Sequence, residues 1–208
     1  MNKITSESDY LHGLEPPDSG NFIHEPVKKA LQNLQAKFVL DIGCGNGYLA
    51  KYLKIGGVNV VGIDPSESGI KNARLLLPDN RFYCMGIYDN PDDIEENNFD
   101  AVVSTEVIEH LFYPRELLRF AKSKLNSNGY LLLTTPYHGY LKNLTLSIFN
   151  AWDSHHTPFW DGGHIKFWSR RTLSRLLMEE GFEVKDFIGC GRFPYIWKTM
   201  LLVAQLKN

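Results

Sequence analysis

The sequence predicts a doubly wound α/β fold with a seven-stranded, mostly parallel sheet. Runs of apolar, β-branched residues alternate with stretches of helical periodicity, which is typical of a parallel sheet covered by helices. The chain has 208 residues, 43% of them hydrophobic and 22% charged, which fits one domain with a sizeable core. The last two strand-like runs have no helix between them, so we expect an antiparallel edge hairpin.

The sequence of the first half of the chain predicts three helices, each followed by a strand. Residues 1–25 are polar and contain Pro16, Pro17 and Gly20, which indicates an N-terminal arm or lid before a domain over residues 26–208. In this half the domain is expected to contain helix 26–35, strand 37–42, helix 46–55, strand 58–63, helix 66–76 and strand 81–85.

In the second half the alternation is broken once. Strand 99–104 leads into a helical stretch that Pro114 interrupts, and strand 130–135 should end at Pro136, because proline has no amide to donate. Residues 137–168 then separate two core elements, and a segment of that length is usually functional, so we predict a substrate cap there. The chain is expected to close with helix 171–180 and strands 183–189 and 197–207.

Composition excludes several classes of protein. The 22 Lys and Arg against 24 Asp and Glu give a formal charge of −2, which argues against a broad polyanion-binding surface. Cys44, Cys84 and Cys190 are isolated, so neither a disulfide framework nor a CxxC metal site is expected, and a reducing cytoplasm is the predicted compartment. The sequence has no apolar run of the roughly 18 residues that a membrane span needs and no apolar signal-peptide core over 1–21.

A glycine-rich turn after the first strand is the strongest local signal. Gly43, Gly45 and Gly47 occupy every second position, and glycines allow positive φ and close approach of backbone amides to a ligand. The second strand ends in Asp64, where a carboxylate can accept the hydroxyls of a ribose. The dinucleotide fingerprint GxGxxG needs a glycine at position 48, which is tyrosine here, so the spacing is GxGxG instead.

With Asp41 two residues before the first glycine, this turn resembles motif I of the class I S-adenosylmethionine-dependent methyltransferases. The resemblance implies a Rossmann-like, doubly wound fold and S-adenosyl-L-methionine as cofactor. It implies that the acid and glycines of the turn hold the methionine portion and that the acid after strand two holds the ribose. An acid is usual at the adenine site but is displaced or absent here, so backbone and apolar contacts are expected instead. The predicted cofactor-binding residues are Asp41, Gly43, Gly45, Asp64, Pro65, Gly86, Ile87, Thr105 and Glu106.

Two carboxylates and an imidazole follow the fourth strand. If a helix begins near Thr105, then Glu106, Glu109 and His110 lie at i, i+3 and i+4 on one face. Such a group suits a divalent cation, Mg²⁺ or Mn²⁺ by its oxygens and Zn²⁺ by its histidine. The alternative is a helix start without metal, since acids are favoured near a helix N-terminus.

The ExxEH motif is similar to that of two methyltransferase branches, the ubiquinone-biosynthesis O-methyltransferases and the small-RNA 3′-end 2′-O-methyltransferases. In the RNA branch a histidine before a later helix completes the motif, and the matching stretch here begins at His164. The resemblance therefore implies Glu106, Glu109, His110 and His164 as metal ligands. His110 and His164 are the candidate catalytic residues, either of which would serve as base.

The predicted cap concentrates the unusual residues. Three of the four tryptophans and four of the seven histidines lie within 137–168. Residues 141–149 are expected to form an amphipathic helix that excludes water from the reacting methyl group, although these aromatics also suit simple core coverage. An aromatic-lined pocket favours a small phenolic, quinol or lipid-like acceptor, and O-methylation is the predicted reaction. An RNA 2′-O-methyltransferase and a non-catalytic cofactor-binding regulator remain alternatives. RNA would need a positive groove, and the local basic residues are few: Lys142, Lys166, Arg170, Arg171 and Arg175.

Overall fold

The computed structural model describes residue 15 and residues 17–156, 158–159 and 162–207. The helices of this part of the chain are α1 (Gly20–Asn33), α2 (Tyr48–Ile55), α3 (Glu67–Leu76), α4 (Pro114–Lys124), α5 (Tyr140–Ile148), α6 (Trp152–His156) and α7 (Arg170–Glu179). The strands are β1 (Phe38–Ile42), β2 (Asn59–Asp64), β3 (Phe82–Cys84), β4 (Phe99–Thr105), β5 (Leu125–Pro136), β6 (Phe182–Cys190) and β7 (Thr199–Leu206).

The seven strands form one sheet in the order β3-β2-β1-β4-β5-β7-β6. The first five are parallel, whereas β7 pairs antiparallel with both β5 and β6. The predicted α/β class and the antiparallel edge hairpin are therefore confirmed. The strand order reverses between β1 and β4, and this reversal leaves a crevice at the carboxyl ends of the strands, where open α/β sheets bind ligands.

Burial on both faces explains why the central strands are continuous apolar runs. β1 and β4 lie in the middle of the sheet and are almost wholly buried. One apolar cluster packs α4 and α7 against one face, and a second packs α1, α2 and α3 against the other. Local signals set the helix starts, since Pro114 is the first residue of α4 and Ser169 caps α7 through a capping box with Thr172.

The N-terminal prediction is wrong at its boundary. Helix α1 begins at Gly20, six residues before the predicted start, and Pro26 lies inside it. Apolar side chains of the helix, Ile23 and Val27 among them, are buried against the sheet, and this packing outweighs the lost amide of one proline. Most of the predicted arm, residues 1–14 and 16, lies outside the described residues.

The helix expected from Thr105 does not exist. β4 continues through Thr105, Glu106 has a positive φ of 54°, and a short 3₁₀ turn over Ile108–His110 precedes α4. The left-handed residue turns the chain sharply, so Glu106 and Glu109 do not share a helix face. The expectation that they stand on one helical face is wrong.

The predicted cap, residues 137–168, contains two helices, α5 and α6. The side of α5 that is exposed is the apolar one, opposite to the expected arrangement. In α5 the side chains of Leu141, Leu144 and Ile148 are exposed, whereas Lys142 is buried. The aromatic residues divide, since Tyr137 and Trp168 pack on the core while Phe149 and Phe159 are exposed. Trp160 lies outside the described residues. Across the part of the chain that is described, every helix is too short or too polar to cross a membrane.

Candidate functional site

The glycine turn begins at the carboxyl end of β1 and is anchored to β2. The amides of Gly43 and Cys44 donate to the Ile63 carbonyl at 2.8 and 3.0 Å. Gly43 has a φ of 78°, and a Cβ there would lie 2.4 Å from Val107 Cγ2. Gly47 serves packing, because it precedes α2 in a left-handed conformation against Ala73 of α3. The turn therefore needs glycine both for its backbone angles and for lack of space.

Asp64 joins this turn to the end of β2. Its Oδ2 accepts from the Gly45 amide and its Oδ1 from the Ser66 amide, both at 2.8 Å. Each carboxylate oxygen retains a further lone pair, since a carboxylate has about four acceptor positions. The two amides fix the orientation of the carboxylate, so Asp64 can accept the hydroxyls of a ribose without rearranging.

Asp41 is the most unusual group of the turn. It is fully buried, and neither carboxylate oxygen has a hydrogen-bond partner among the described residues. Burial, with a smaller contribution from the nearby charge of Asp64, raises the pKa of Asp41 to about 7. A buried carboxylate without donors is costly, so this position calls for a ligand that donates hydrogen bonds or carries positive charge.

The expected adenine rim follows β3. Ile87 is buried, and the Gly86 amide donates to Asp89 Oδ2 at 2.9 Å. Asp89, the acid that is displaced in the sequence, therefore accepts a hydrogen bond from Gly86, at the expected adenine site. Next to this rim, Cys84 Sγ contacts the Pro65 carbonyl at 3.7 Å. Pro65 and Gly86 follow β2 and β3, which are adjacent parallel strands.

Glu106 is held by threonines of two neighbouring strands. Its Oε1 accepts from Thr134 Oγ1 at 2.9 Å, and its Oε2 accepts from Thr199 Oγ1 at 3.2 Å. Burial raises the pKa of Glu106 to about 7, although both hydroxyls favour the charged form. Glu106 therefore lies against β5 and β7, and it is not among the three residues whose ligand atoms lie within 4.8 Å of one another.

Glu109, His110 and His164 do come together. One ligand atom from each lies within 4.8 Å of the others, and Glu109 Oε1 is 3.9 Å from His164 Nε2. Glu109 is 1% exposed, and its Oε1 has no hydrogen-bond partner in the described chain. An unsatisfied buried carboxylate oxygen beside two imidazoles fits the donor set of a divalent cation.

Hydrogen bonds around this trio hold its ligands in place. The Gly162 carbonyl accepts from His110 Nδ1 at 2.8 Å, so in the neutral ring Nε2 carries the lone pair. Thr135 Oγ1 donates to Glu109 Oε2 at 3.0 Å. The amides of Ile165 and Lys166 both donate to the Glu109 carbonyl at 2.9 Å, which attaches the loop of His164 to the loop after β4.

Charge states in the trio also suit a cation. Burial lowers the pKa of His110, and burial together with His110 lowers the pKa of His164 to about 4. Both imidazoles are therefore neutral near pH 7, which is the ligating form. Burial, reinforced by the charge of Glu106, raises the pKa of Glu109 well above its usual range. A bound cation would favour the ionised carboxylate.

Five ring-bearing residues between positions 138 and 167 pack against one another. His138, His155 and His156 have ring centroids 5.2 to 6.0 Å apart. Trp152 stacks on His156 at 5.0 Å, and Phe167 lies 4.6 Å from the same ring. We call these five residues the ring cluster. His164 of the trio lies in the same segment of the chain, between His156 and Phe167 of the ring cluster.

Sequence reasoning missed the groups that orient the acids. In the sequence, the threonines at 134, 135 and 199 have the pattern of ordinary strand residues. Thr134 and Thr135 directly precede Pro136, and two hydroxyl residues at the carboxyl end of an otherwise apolar strand were the available signal. No such signal marks Thr199 in the sequence, because this residue reaches the site only through the order of the strands in the sheet.

Comparison with known proteins identifies the family. The methyltransferase domain family matches residues 18–186. The ubiquinone biosynthesis O-methyltransferase of Hydrogenovibrio crunogenus is 32% identical over 127 residues, covering 59% of this chain and 52% of that protein. The mitochondrial enzyme of the same name from Homo sapiens is 29% identical over 178 residues, covering 83% of this chain and 47% of its own. The chain thus spans about half the length of these relatives.

Solved structures agree in fold. An S-adenosylmethionine-dependent methyltransferase from Clostridium acetobutylicum superposes with a TM-score of 0.68 at 10% identity, over 89% of this chain and 91% of that chain. Magnesium protoporphyrin IX methyltransferase from Synechocystis, with bound SAH, gives a TM-score of 0.64 at 19% identity, over 88% and 82%. The match over residues 18–186 shows that the chain belongs to the methyltransferase domain family, and the solved structures show that it shares their fold.

Proposed function

We propose that this chain transfers the methyl group of S-adenosylmethionine to an oxygen atom of a small acceptor. One observation carries the cofactor half of the proposal, namely the buried carboxylate of Asp41 without a hydrogen-bond partner among the described residues. The methionine portion of the cofactor has an ammonium group, which would donate to this carboxylate and compensate its burial. A neutral ligand would leave the charge unpaired.

The remaining cofactor contacts follow the crevice. Gly43 and Gly45 present their backbone to the methionine portion, and Asp64 accepts from the ribose hydroxyls. Adenine lies against Ile87 and the backbone of Gly86, with Pro65 beside the ribose. Thr105 and Glu106, at the end of β4, border the sulfonium end, because β4 lies next to β1 across the crevice.

We propose Glu109, His110 and His164 as the residues that hold a divalent cation. The fit rests on the unpartnered Oε1 of Glu109, two neutral imidazoles and ligand atoms within 4.8 Å. Glu106, the fourth ligand expected from the sequence, is bonded to Thr134 and Thr199 instead, so we assign it to orientation of the site. When bound, the cation would lower the pKa of an acceptor hydroxyl.

The chemistry needs little more than alignment and a proton acceptor. The acceptor oxygen forms a bond to the methyl carbon as the carbon–sulfur bond breaks, and S-adenosylhomocysteine leaves. Without a bound cation, the hydroxyl proton passes to a neutral imidazole, and His110 and His164 are the candidates nearest to the acids. With both imidazoles holding a cation, the proton of the acidified hydroxyl would pass to water instead. Much of the rate would come from holding the oxygen and methyl carbon in line.

A phenolic, quinol or lipid-like acceptor is favoured over RNA. The ring cluster suits a flat apolar molecule, and relatives at about 30% identity are named ubiquinone biosynthesis O-methyltransferases. A cytoplasmic location stays a prediction that rests on three free cysteines. A catalytic role is favoured over a purely regulatory one because the trio adjoins the crevice.

Calorimetry with S-adenosylmethionine and, separately, NAD tests the cofactor. We expect binding of S-adenosylmethionine alone and a loss of at least tenfold in affinity for Asp41→Asn. Binding of NAD instead would overturn the proposal. Transfer of a labelled methyl group is then measured with catechol, hydroquinone and a short RNA. A chain that binds the cofactor and methylates none of a broad acceptor set would be a regulator, contrary to the proposal.

A further inference from the structure

The loop between β6 and β7 holds a tyrosine in a strained backbone conformation. Tyr195 has a φ of 68°, in the left-handed region that bulky side chains rarely adopt. Two hydrogen bonds close the loop, from the Ile196 amide to the Phe193 carbonyl at 3.2 Å and from the Lys198 amide to the Cys190 carbonyl at 3.0 Å. Glycine would adopt this conformation without strain. Strain at a bulky residue is typical of functional sites, so the ring of Tyr195 is the feature to explain.

Packing within the chain does not explain this ring. Tyr195 is 61% exposed, and Phe193, two residues earlier, is 79% exposed. A ring that remains largely in water gains little free energy from burial, so burial does not offset the strain of the backbone. A ligand that covered the ring would provide the missing contact.

A row of three rings leads from Tyr195 to the strand end that holds Glu109. The ring centroid of Tyr195 lies 5.5 Å from that of Trp197, which in turn lies 5.1 Å from that of Tyr137. We call these three residues the aromatic row. Tyr137 directly follows β5, the strand from which the Thr135 hydroxyl donates to Glu109 at 3.0 Å. The aromatic row therefore connects the exposed ring to the neighbourhood of the trio.

The two inner rings of the row are fixed by the fold. The ring of Trp197 lies over Gly189 of β6, and the ring of Tyr137 lies over Gly139, in each case where a Cβ would overlap it. Phe187 adds a contact to Trp197, with centroids 5.5 Å apart. The inner rings thus form a rigid support, and Tyr195 extends this support towards solvent.

Direct contacts also place the loop at the carboxyl end of the sheet. The Tyr137 amide donates to the Lys198 carbonyl at 3.1 Å, and Thr199, the first residue of β7, donates to Glu106 Oε2 at 3.2 Å. On its other side the loop meets α1, where Lys198 Nζ lies 5.0 Å from the ring centroid of Phe22. The loop therefore lies between α1 and the strand ends that hold the acids of the site.

We infer that Tyr195 determines specificity for the acceptor by stacking on its aromatic ring at the entrance to the acceptor site. The inference deepens the proposed function and rests on it. Aromatic rings pair in offset or edge-to-face arrangements with centroids about 4.5–7 Å apart, and the aromatic row already has this spacing. The left-handed backbone holds the ring in place before the acceptor binds, so less conformational freedom is lost on binding.

Two small diols test this role. The protein loaded with S-adenosylhomocysteine is titrated with catechol and with trans-1,2-cyclohexanediol, which both offer adjacent hydroxyls although only catechol is aromatic. We expect catechol to bind at least tenfold more tightly. Tyr195→Gly removes the ring and suits the left-handed backbone, so it should weaken catechol at least fivefold and the saturated diol less than twofold. Tyr195→Phe, which keeps the ring, should retain the affinity for catechol.

Gln35→Gly is the matched control. Gln35 also has a positive φ, of 56°, but it precedes β1 at the end of the sheet opposite to the crevice. The variant therefore makes the same kind of backbone change without removing a ring near the acceptor, and it should leave the affinity for both diols unaltered. If Tyr195→Gly fails to fold, Tyr195→Asn replaces it, since asparagine tolerates the left-handed region.

Several results would count against the role of Tyr195. Equal binding of the two diols to the unaltered protein would overturn it, and so would unchanged catechol binding in Tyr195→Gly. Equal weakening of both diols would show that the loop acts through its shape, and a loss in Tyr195→Phe as large as in Tyr195→Gly would assign the effect to the hydroxyl. Cofactor binding is measured first, because its failure would overturn the proposed function, whereas these results overturn the stacking role alone.

Discussion

The hydroxyl of Thr135 donates a 3.0 Å hydrogen bond to Oε2 of Glu109, while Oε1 of the same carboxylate has no partner among the described residues. One oxygen is thus fixed by β5, and the other is directed towards His164 Nε2, 3.9 Å away. This arrangement is typical of a ligand carboxylate, whose orientation is set by a neighbouring donor. It gives the predicted cation site an orienting contact that can be removed without touching a ligand.

Thr135→Val should weaken binding of the cation without abolishing it. The valine preserves shape but cannot donate to Glu109, and loss of such contacts typically lowers metal affinity by roughly 10–100-fold. Titration with Mn²⁺ or Zn²⁺ followed by calorimetry measures the change. Thr145→Val, at an exposed position of α5, is the control and should leave the affinity unaltered. An unchanged affinity in Thr135→Val would show that this hydroxyl does not orient a ligand.

Glu109→Gln and Glu106→Gln should differ in metal content. Only Glu109 lies with His110 and His164, so its replacement should abolish stoichiometric binding, whereas Glu106→Gln should retain the cation. Elemental analysis of protein purified without chelator measures both. Equal loss in both variants would support the four-ligand set expected from the sequence. Absence of any divalent ion in the unaltered protein and both variants would contradict a metal site.

Stability should depend on pH through Asp41. Its pKa is about 7 in the folded protein and close to the ordinary value of 3.8 in the unfolded chain. Because the folded state binds the proton more tightly, this stabilisation is complete below about pH 4 and is lost as the pH rises through 7. Urea unfolding of the cofactor-free protein at pH 5 and pH 8 measures the effect, with Asp41→Asn as reference. The unaltered protein should lose about 2–3 kcal/mol of stability relative to this variant between the two pH values. An equal change in stability between pH 5 and pH 8 in the two proteins would contradict the raised pKa.

Gly43→Ala should destabilise more than Gly57→Ala. Both glycines have φ near 79°, but a Cβ at 57 meets nothing within 4 Å, whereas one at 43 lies 2.4 Å from Val107 Cγ2. The backbone conformation alone costs ~1–2 kcal/mol, and the clash should add ~1–3 kcal/mol. Urea midpoints measure both losses. The double variant Gly43→Ala with Val107→Ala should regain the part of the stability that is lost to the clash. If it regains none, the clash with Val107 is not the cause of the destabilisation.

Several features of the fold were predictable because their signals are local. The alternation of apolar strands with helical stretches predicted the sheet, and Pro136 marked the end of a strand. The start of α1 was not predictable in this way. Pro26 is a local signal against a helix interior, and the burial of Ile23 and Val27 against the sheet overrides it.

By itself, the sequence determined the glycine turn, the acids at 41 and 64 and the motif that places Glu109 beside His110, because each depends on neighbours along the chain. The tertiary structure decided which acid joins His164, since the left-handed turn at Glu106 directs that carboxylate towards Thr134 and Thr199. It also decided which side of α5 faces inward. Periodicity shows that a helix has two faces, but only the packing of the cap against strands distant in sequence determines which face is buried, and here that face carries Lys142.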